Sequence, residues 1–400
     1  MRREPLTPLA LARRQAVLDA QATARLPVLF DRKRDKMRRT AHAFFRGCAP
    51  LFYEALAEHP ALAEGPAGQG RIVGDMHLEN VGAFRAESGT VVFDLNDFDD
   101  TTLGPWRADV LRLAVSTILA VRGMRPAGAD ALRAVEAMAA NWRAGVQGDP
   151  GPSRPREVER LLRRAERRTD EDLLAGRAPV TEGRRAFVRG ERYMDLPPEV
   201  AGQVPSLVGR YLRALGDRAP RRSADWRIED AAWRVAGTGS LGVVRIAVIV
   251  SRDAAAGDRL FDLKEARPSS VQRAFAAPAA PAEPARRAVA VVESACALVA
   301  DPPRLLAAVD DTPGFVGRRL FPQEDKLSLE GGVESPAELA QEVGWLLGRA
   351  HRRGATEAPR APWSDAELSG LVDHAIELSG LFEATYLAWC RLPAAPPPPA

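Results

Sequence analysis

The chain has 400 residues, 46% hydrophobic and 27% charged, and a formal net charge of +3, a globular composition in a length that exceeds one small core. So slight a positive excess, with no basic run interleaved with aromatics, argues against nucleic acid as the main partner. The three cysteines, Cys48, Cys296 and Cys390, are too scattered for a metal cluster or a disulfide framework, and no apolar run spans a bilayer; these features read as a cytoplasmic protein in a reducing compartment, with no membrane partner.

Residues 1–70 read as an N-terminal helical segment. Leu9, Leu11, Ala16 and Leu18, then Phe44, Phe45, Leu51, Phe52 and Leu56, supply its apolar faces. The basic run 32–39 between them reads first as a solvated helix face and second as a phosphate contact. Arg46, in the FFRG segment, is a candidate substrate or phosphate contact. After a Gly-rich link at 65–70, Arg71-Ile72-Val73 predicts a short strand that delivers Asp75.

The region 71–149 carries two acidic clusters, GDMHLEN at 74–80 and DLNDFDD at 94–100, separated by the β-type run Thr90-Val91-Val92-Phe93. Carboxylates crowded beside a strand repel one another unless a cation or a proton offsets them. Phosphoryl transfer needs such an arrangement: a carboxylate to orient the attacking hydroxyl, and Asp and Asn oxygens to hold divalent metal against phosphate. Asp75 and Asn80 have the D-x-x-x-x-N spacing of a kinase catalytic loop. His77 lies between them as a catalytic-loop residue, stabilising the loop rather than binding metal. Asn80 together with Asp97, Asp94 or Asp99 would hold the metal. Gly104-Pro105 marks a turn, and Asp109 opens a periodic helix as its N-cap or as a brace for the Asp75 loop.

Residues 150–222, after the break at 148–152, read as a helical, arginine-rich insert with no assigned role. Residues 223–322 change to β-type: GTGSLG at 237–242 is followed at once by a β-branched run, which predicts strand, turn, strand in an antiparallel meander and not the helix of a dinucleotide fold. A kinase Gly-rich loop has this layout, with backbone amides over the phosphates, and Val244 falls where G-x-G-x-x-G-x-V has valine. Gly237, Gly239, Ser240 and Gly242 are thus nucleotide candidates, against the alternative of an ordinary Gly-rich hairpin. Lys264 ends the next strand, and Glu293, on a helix beyond the Pro/Ala-rich linker 276–284, is its candidate ion-pair partner. Residues 315–321 suggest one more strand, 323–392 complete a helical lobe, and 393–400 form a disordered proline tail.

Lysine is scarce: only Lys33, Lys36, Lys264 and Lys326 occur among 56 cationic residues. Where arginine is the default cation, a lysine invites a reason, and a compact point charge at phosphate is one. A metallophosphatase also starts from G-D-x-H, but it needs further His and Asn ligands downstream. Of the five histidines (His42, His59, His77, His351, His374), none follows the second acidic cluster until His351.

GDMHLEN, FDLNDFDDTTLGPWRADVLRLAVS, FFRG, GTGSLG with LKEA, and LLGRAHRRG resemble the bacterial proteins of domain-of-unknown-function family 2252 over most of the chain outside the insert. The same motifs resemble the aminoglycoside phosphotransferase and protein-kinase-like superfamily. That resemblance implies a catalytic role for Asp75, metal binding by Asn80 and Asp97, and loop bracing by Asp109, with Asp94 and Asp99 as rivals for the second metal role. Val73 stands where many relatives have His. The order departs from the pattern, since the Gly-rich loop and Lys264 follow the catalytic loop and the helix 339–351 lies near the chain end. The resemblance therefore implies an α+β, two-lobed, protein-kinase-like fold in circularly permuted order, with a small antiparallel β lobe and a helical lobe. It implies ATP and Mg2+ as cofactors and a hydroxyl-bearing small molecule or protein as the acceptor partner. A nucleotide-binding regulator without turnover and a nucleotidyl transferase remain the alternatives.

Overall fold

The computed structural model describes residues 7–59, 62, 68–125, 127–181, 183–220, 226–251, 257–273, 284–357 and 363–393. The Gly-rich link 65–70, the turn 253–258, the linker 276–284 and the tail 393–400 lie wholly or partly outside them. Among the described residues no helix is long and apolar enough to cross a membrane.

Helices and small antiparallel sheets make an α+β protein. Four helices, Pro8–Thr23, Val28–Met37, Ala41–Arg46 and Ala49–Glu58, open the described chain. They lead to β1 (Gln69–Ile72), β2 (Val81–Arg85), β3 (Val91–Leu95) and β4 (Thr102–Pro105). The helices Trp106–Met124 and Gly128–Gln147 follow. Helix Trp106–Met124 starts one turn before Asp109, so Asp109 is not its N-cap.

The insert is not wholly helical. Beside the helices Arg156–Arg167, Asp170–Arg177 and Val204–Leu215 it holds the short strands β5 (Val180–Thr181), β6 (Arg184–Arg185) and β7 (Tyr193–Met194). Strand β7 pairs with β8 (Arg227–Arg234), whose partner across the Gly-rich turn is β9 (Arg245–Ser251). With β10 (Arg259–Glu265), β11 (Ala307–Val309) and β12 (Phe315–Arg319) these strands form a six-stranded sheet in the order β11-β12-β10-β9-β8-β7.

Side chains of that sheet alternate between its faces, as strand geometry dictates. Ile246, Val248, Val250, Phe261 and Leu263 pack with Leu207 and Tyr211 of the insert helix Val204–Leu215. The opposite face buries Ala232, Ala247, Ile249, Leu260 and Leu320 against Leu174 and Phe187. On the same parity, one step nearer the Gly-rich turn, stand Arg234, Arg245, Asp262, Lys264 and Arg318. That end of the sheet is charged, and the cavities described below lie against it.

After β12 the chain leaves this sheet, β13 (Asp325–Lys326) pairs with β2 in a sheet of order β13-β2-β3, and the helix Pro336–Arg353 then returns to the helical part. Ser335 caps that helix by accepting the Glu338 amide, Pro336 occupies its first turn, and Arg352 and Arg353 meet the negative end of its dipole. It lies close against Gly128–Gln147: a Cβ at Gly344 or Gly348 would come within 2.3 and 2.0 Å of the carbonyl oxygens of Met138 and Trp142. Strand β14 (Ala355–Glu357) follows and pairs antiparallel with β1, and Arg71 donates its amide to Gly354 O at 2.8 Å. The last helix, Asp365–Arg391, closes the larger core around Phe44, Phe45, Phe52, Leu111, Leu346 and Phe382.

Candidate active site

Asp75 sits in the turn after β1, and the turn is fixed from below. The fully buried Asp109 carboxylate accepts the amides of Val73 and Gly74 at 2.6 and 2.8 Å and meets His351 Nε2 at 3.1 Å. Gly74 has φ +83°, and a Cβ there would lie 2.2 Å from Asp100 O, so only glycine fits where the two acidic loops touch. Above this brace Arg112, buried beneath Phe45 and Phe52, donates to Asp75 Oδ1 from Nε at 3.0 Å and from Nη2 at 2.6 Å. Burial raises the Asp75 carboxyl to about 6 despite Arg112, whose charge opposes the shift. Its proton therefore comes off close to neutrality, the range suited to a general base.

Asn80 closes the same loop. Its Nδ2 donates to Asp75 O at 3.1 Å and to Asp97 O at 3.4 Å, while its buried Oδ1 has no partner. His77 shapes the turn: Nδ1 accepts the Glu79 amide at 3.2 Å and its carbonyl accepts the Asn80 amide at 2.9 Å. Burial and the nearby Arg46 hold its imidazole well below the ordinary value.

Asp97, just past β3, carries the second carboxylate. Burial alone would raise it, but Lys264, Lys326, Arg245 and Arg318 outweigh burial and hold it below the usual carboxylate range. Asp99 forms an ion pair with Lys264, and its backbone carbonyl accepts Arg287 Nη2 at 2.6 Å. Lys264, lowered by burial to about 8 although Asp97 works against the shift, also donates to Ser240 Oγ of the Gly-rich turn at 2.6 Å. The tip of that turn reaches the first acidic loop: a Cβ on Gly239 would lie 3.6 Å from Asp75 Oδ2. Gly237 and Gly242 have φ +79° and +91°, and the Gly237 carbonyl accepts Lys36 Nζ at 3.1 Å.

Asp75, Asn80, Asp97, Asp99, Ser240 and Lys264 line one cavity of about 300 Å³. A second, of about 470 Å³, lies on the other side of the Gly-rich turn and shares Asp97 and Ser240 with the first. Lys33 and Lys264 line the smaller cavity, Lys36 and Lys326 the larger, so all four lysines of the chain meet at this pair of cavities.

Two expectations need correction. Asp94 is outside both cavities, because its side chain points to the helix Pro336–Arg353, where Arg349 donates to Oδ2 at 2.5 Å, and its Oδ1 accepts the Leu95 amide. Glu293 does not reach Lys264. It is exposed and pairs with Arg71 at 3.1 Å, while Lys264 is engaged by Asp99 and Ser240. The basic run 32–39 is also less solvated than its charge suggests: Lys33 and Arg34 are buried, Lys33 against Asp19 at 2.9 Å.

Several contributors received no role from the sequence, although Asp100 and Arg112 lie within the quoted motifs. Arg112 positions Asp75, Arg287 clamps the carbonyls of Asp99 and Thr101, and Asp100 accepts the Ser270 amide at 2.6 Å. The arginines are hidden by the abundance of their type. The scarcity of lysine was the available signal for Lys33 and Lys326.

The chain belongs to the family described as "Uncharacterized protein conserved in bacteria (DUF2252)", which matches residues 25–387. No curated protein and no solved structure matches it.

Proposed function

We propose that this protein is an ATP- and Mg2+-dependent phosphotransferase with a kinase-like site assembled in permuted order. The observation that carries the reading is the orphaned, buried Asn80 Oδ1 beside Asp97, in one cavity with Asp75 and with a lysine tied to a Gly-rich turn. An unsatisfied buried oxygen next to a carboxylate held ionised is a fit for a hard cation. Among the described residues no group of three or more His, Cys, Asp and Glu is arranged to hold a metal unaided. Mg2+ in phosphoryl-transfer sites takes much of its shell from phosphate oxygens and water, so Asn80 and Asp97 suffice as the protein's share. Bound there, the ion would neutralise charge on the transferred group.

The remaining roles fall to the chain's own residues. Arg112 holds the Asp75 carboxylate so that Oδ2 faces the Gly239 backbone and is free to orient an acceptor hydroxyl. Lys264 offers a positive charge to the donor phosphates, and backbone amides of 237–242 cover them. The permuted reading is supported by β14, which brings the end of the helix Pro336–Arg353 alongside β1, the strand that enters the Asp75 loop. In the unpermuted order that helix would run directly into the loop.

Incubation with γ-labelled and α-labelled ATP across a metabolite collection tests the reading. Transfer of the γ label is expected, and Asp75→Asn should lower it by roughly two to four orders of magnitude with nucleotide affinity retained. Transfer of the α label would mark a nucleotidyl transferase instead, and binding without turnover a nucleotide-binding regulator. Undiminished turnover in Asp75→Asn removes that residue from the base role.

A further inference from the structure

The larger cavity is lined by nine cationic side chains against four acidic ones. Seven of the cations are arginines: Arg39, Arg46, Arg177, Arg192, Arg234, Arg245 and Arg318 form its basic wall together with two lysines. The acids nearby do not balance this charge: Arg46 pairs with Glu79, three arginines share one carboxylate, and among the described residues Lys36, Arg177 and Arg192 have no ion pair. Asp262 already takes Arg234, Arg245 and Arg318 together. Of the four lining acids, Asp325 is held by Arg164 and Arg168, Glu330 by Arg39, Glu324 by Arg318 and Asp97 by Lys326.

Hydrogen bonding tells the same story as charge. Arg234 Nε and Arg177 Nη1 are buried N–H groups with no partner, and Arg46 Nε is a third. A buried guanidinium donor left unmade is costly, and a void walled by like charges is repulsive unless an anion fills it. Burial and the nearby Arg39, Arg46 and Arg32 hold the Lys36 ammonium below its ordinary value, as crowding of like charge requires. Planar guanidinium forks match phosphate better than any other common anion-binding group, and a volume of about 470 Å³ is that of a small-molecule site.

We propose that this cavity binds a small molecule carrying at least two phosphate groups, held by Arg177 and Arg192 of the insert together with Arg234, Arg245 and Arg318 of the sheet. The insert thereby contributes two of the five arginines of a ligand site: Arg177 closes the helix Asp170–Arg177, and Arg192 adjoins β7. Because Asp97 and Ser240 line both cavities, the ligand reaches the transfer centre; its part as a reactant, as distinct from its binding, rests on the phosphotransferase reading.

Calorimetry without metal, with tripolyphosphate and with fructose 1,6-bisphosphate as probes, tests the proposal on the full chain. At least one probe should bind, more weakly as salt rises, and the preference between them separates a continuous phosphate chain from two spaced groups. The double variant Arg177→Ala, Arg192→Ala should weaken that binding tenfold or more. Asp97→Asn should leave it unchanged or tighten it, since a negative charge leaves the wall. Binding of neither probe, an indifferent arginine variant, or a loss in Asp97→Asn equal to that in the arginine variant overturns the proposal. Absence of label transfer from ATP bears on the phosphotransferase reading alone and leaves these binding results intact.

Discussion

His351 and Asp109, 242 residues apart in sequence, meet at 3.1 Å beneath the loop that carries Asp75. Trp142 donates its indole N–H to His351 Nδ1 at 3.0 Å, so the imidazole carries its proton on Nε2 and gives it to Asp109. Trp106 stacks on the ring at 5.5 Å. The contact joins the end of the helix Pro336–Arg353 to the backbone of Val73 and Gly74 through the Asp109 carboxylate.

Breaking that contact should therefore loosen the Asp75 loop. Asp109→Asn sets an amide against two buried backbone donors and should cost about 2 to 4 kcal/mol. His351→Phe keeps the stacking and loses both hydrogen bonds, for about 1 to 3 kcal/mol. In urea unfolding the double variant should show a coupling of about 1 kcal/mol or more. Strict additivity would mean that the two side chains act independently.

The two strand-end carboxylates separate by assay. Asp97→Ala should abolish the magnesium dependence of ATP binding. Asp94→Ala should leave that dependence in place and appear as a stability loss of about 1 to 3 kcal/mol, since Arg349 is left without its partner. The opposite pattern assigns the metal to Asp94.

Asp262 gives a pH signature. Burial would raise its carboxyl, but Arg234, Arg245 and Arg318 hold it below the carboxylate range. A carboxyl lowered on folding adds stability that is complete above its unfolded value, about 3.9, and is lost as pH falls toward the folded value. Asp262→Asn should thus cost about 3 to 5 kcal/mol at pH 7, where it leaves three arginines beside a neutral amide. The gap from the parent should narrow steadily below about pH 4. An equal gap at pH 7 and pH 3 in denaturant titrations would refute the assignment.

What the sequence disclosed follows the range of each interaction. The Gly-rich turn between β8 and β9 was legible because turn chemistry and β-branched runs act over a few residues. Asp75, Asn80, Asp97 and Lys264 line one cavity, a meeting that the resemblance implied although Lys264 follows the acidic loops in the chain. Partner choice was not legible. Glu293 stands on the expected helix, yet Arg71 captures it, and Asp99 supplies the counter-charge to Lys264 from within the acidic motif itself. The strand β7 inside the insert is two residues long, too short for any periodicity to reveal. Arg112 and Arg287 were invisible because their roles depend on burial, and arginine is common throughout this chain.

The separation between the acidic loops and their counter-charges has a consequence for synthesis. Asp75, Asp94, Asp97, Asp99 and Asp100 leave the ribosome well before Lys264, Lys326 and Arg349, the cations that Asp99, Asp97 and Asp94 pair with in the folded protein. At about 5 to 20 residues per second, the interval from Asp99 to Lys264 lasts on the order of ten seconds or more. During that time the nascent acidic hairpin repels itself and lacks its six-stranded roof. The order of the chain therefore makes assembly of this centre a late event, completed only when the last third of the protein has been made.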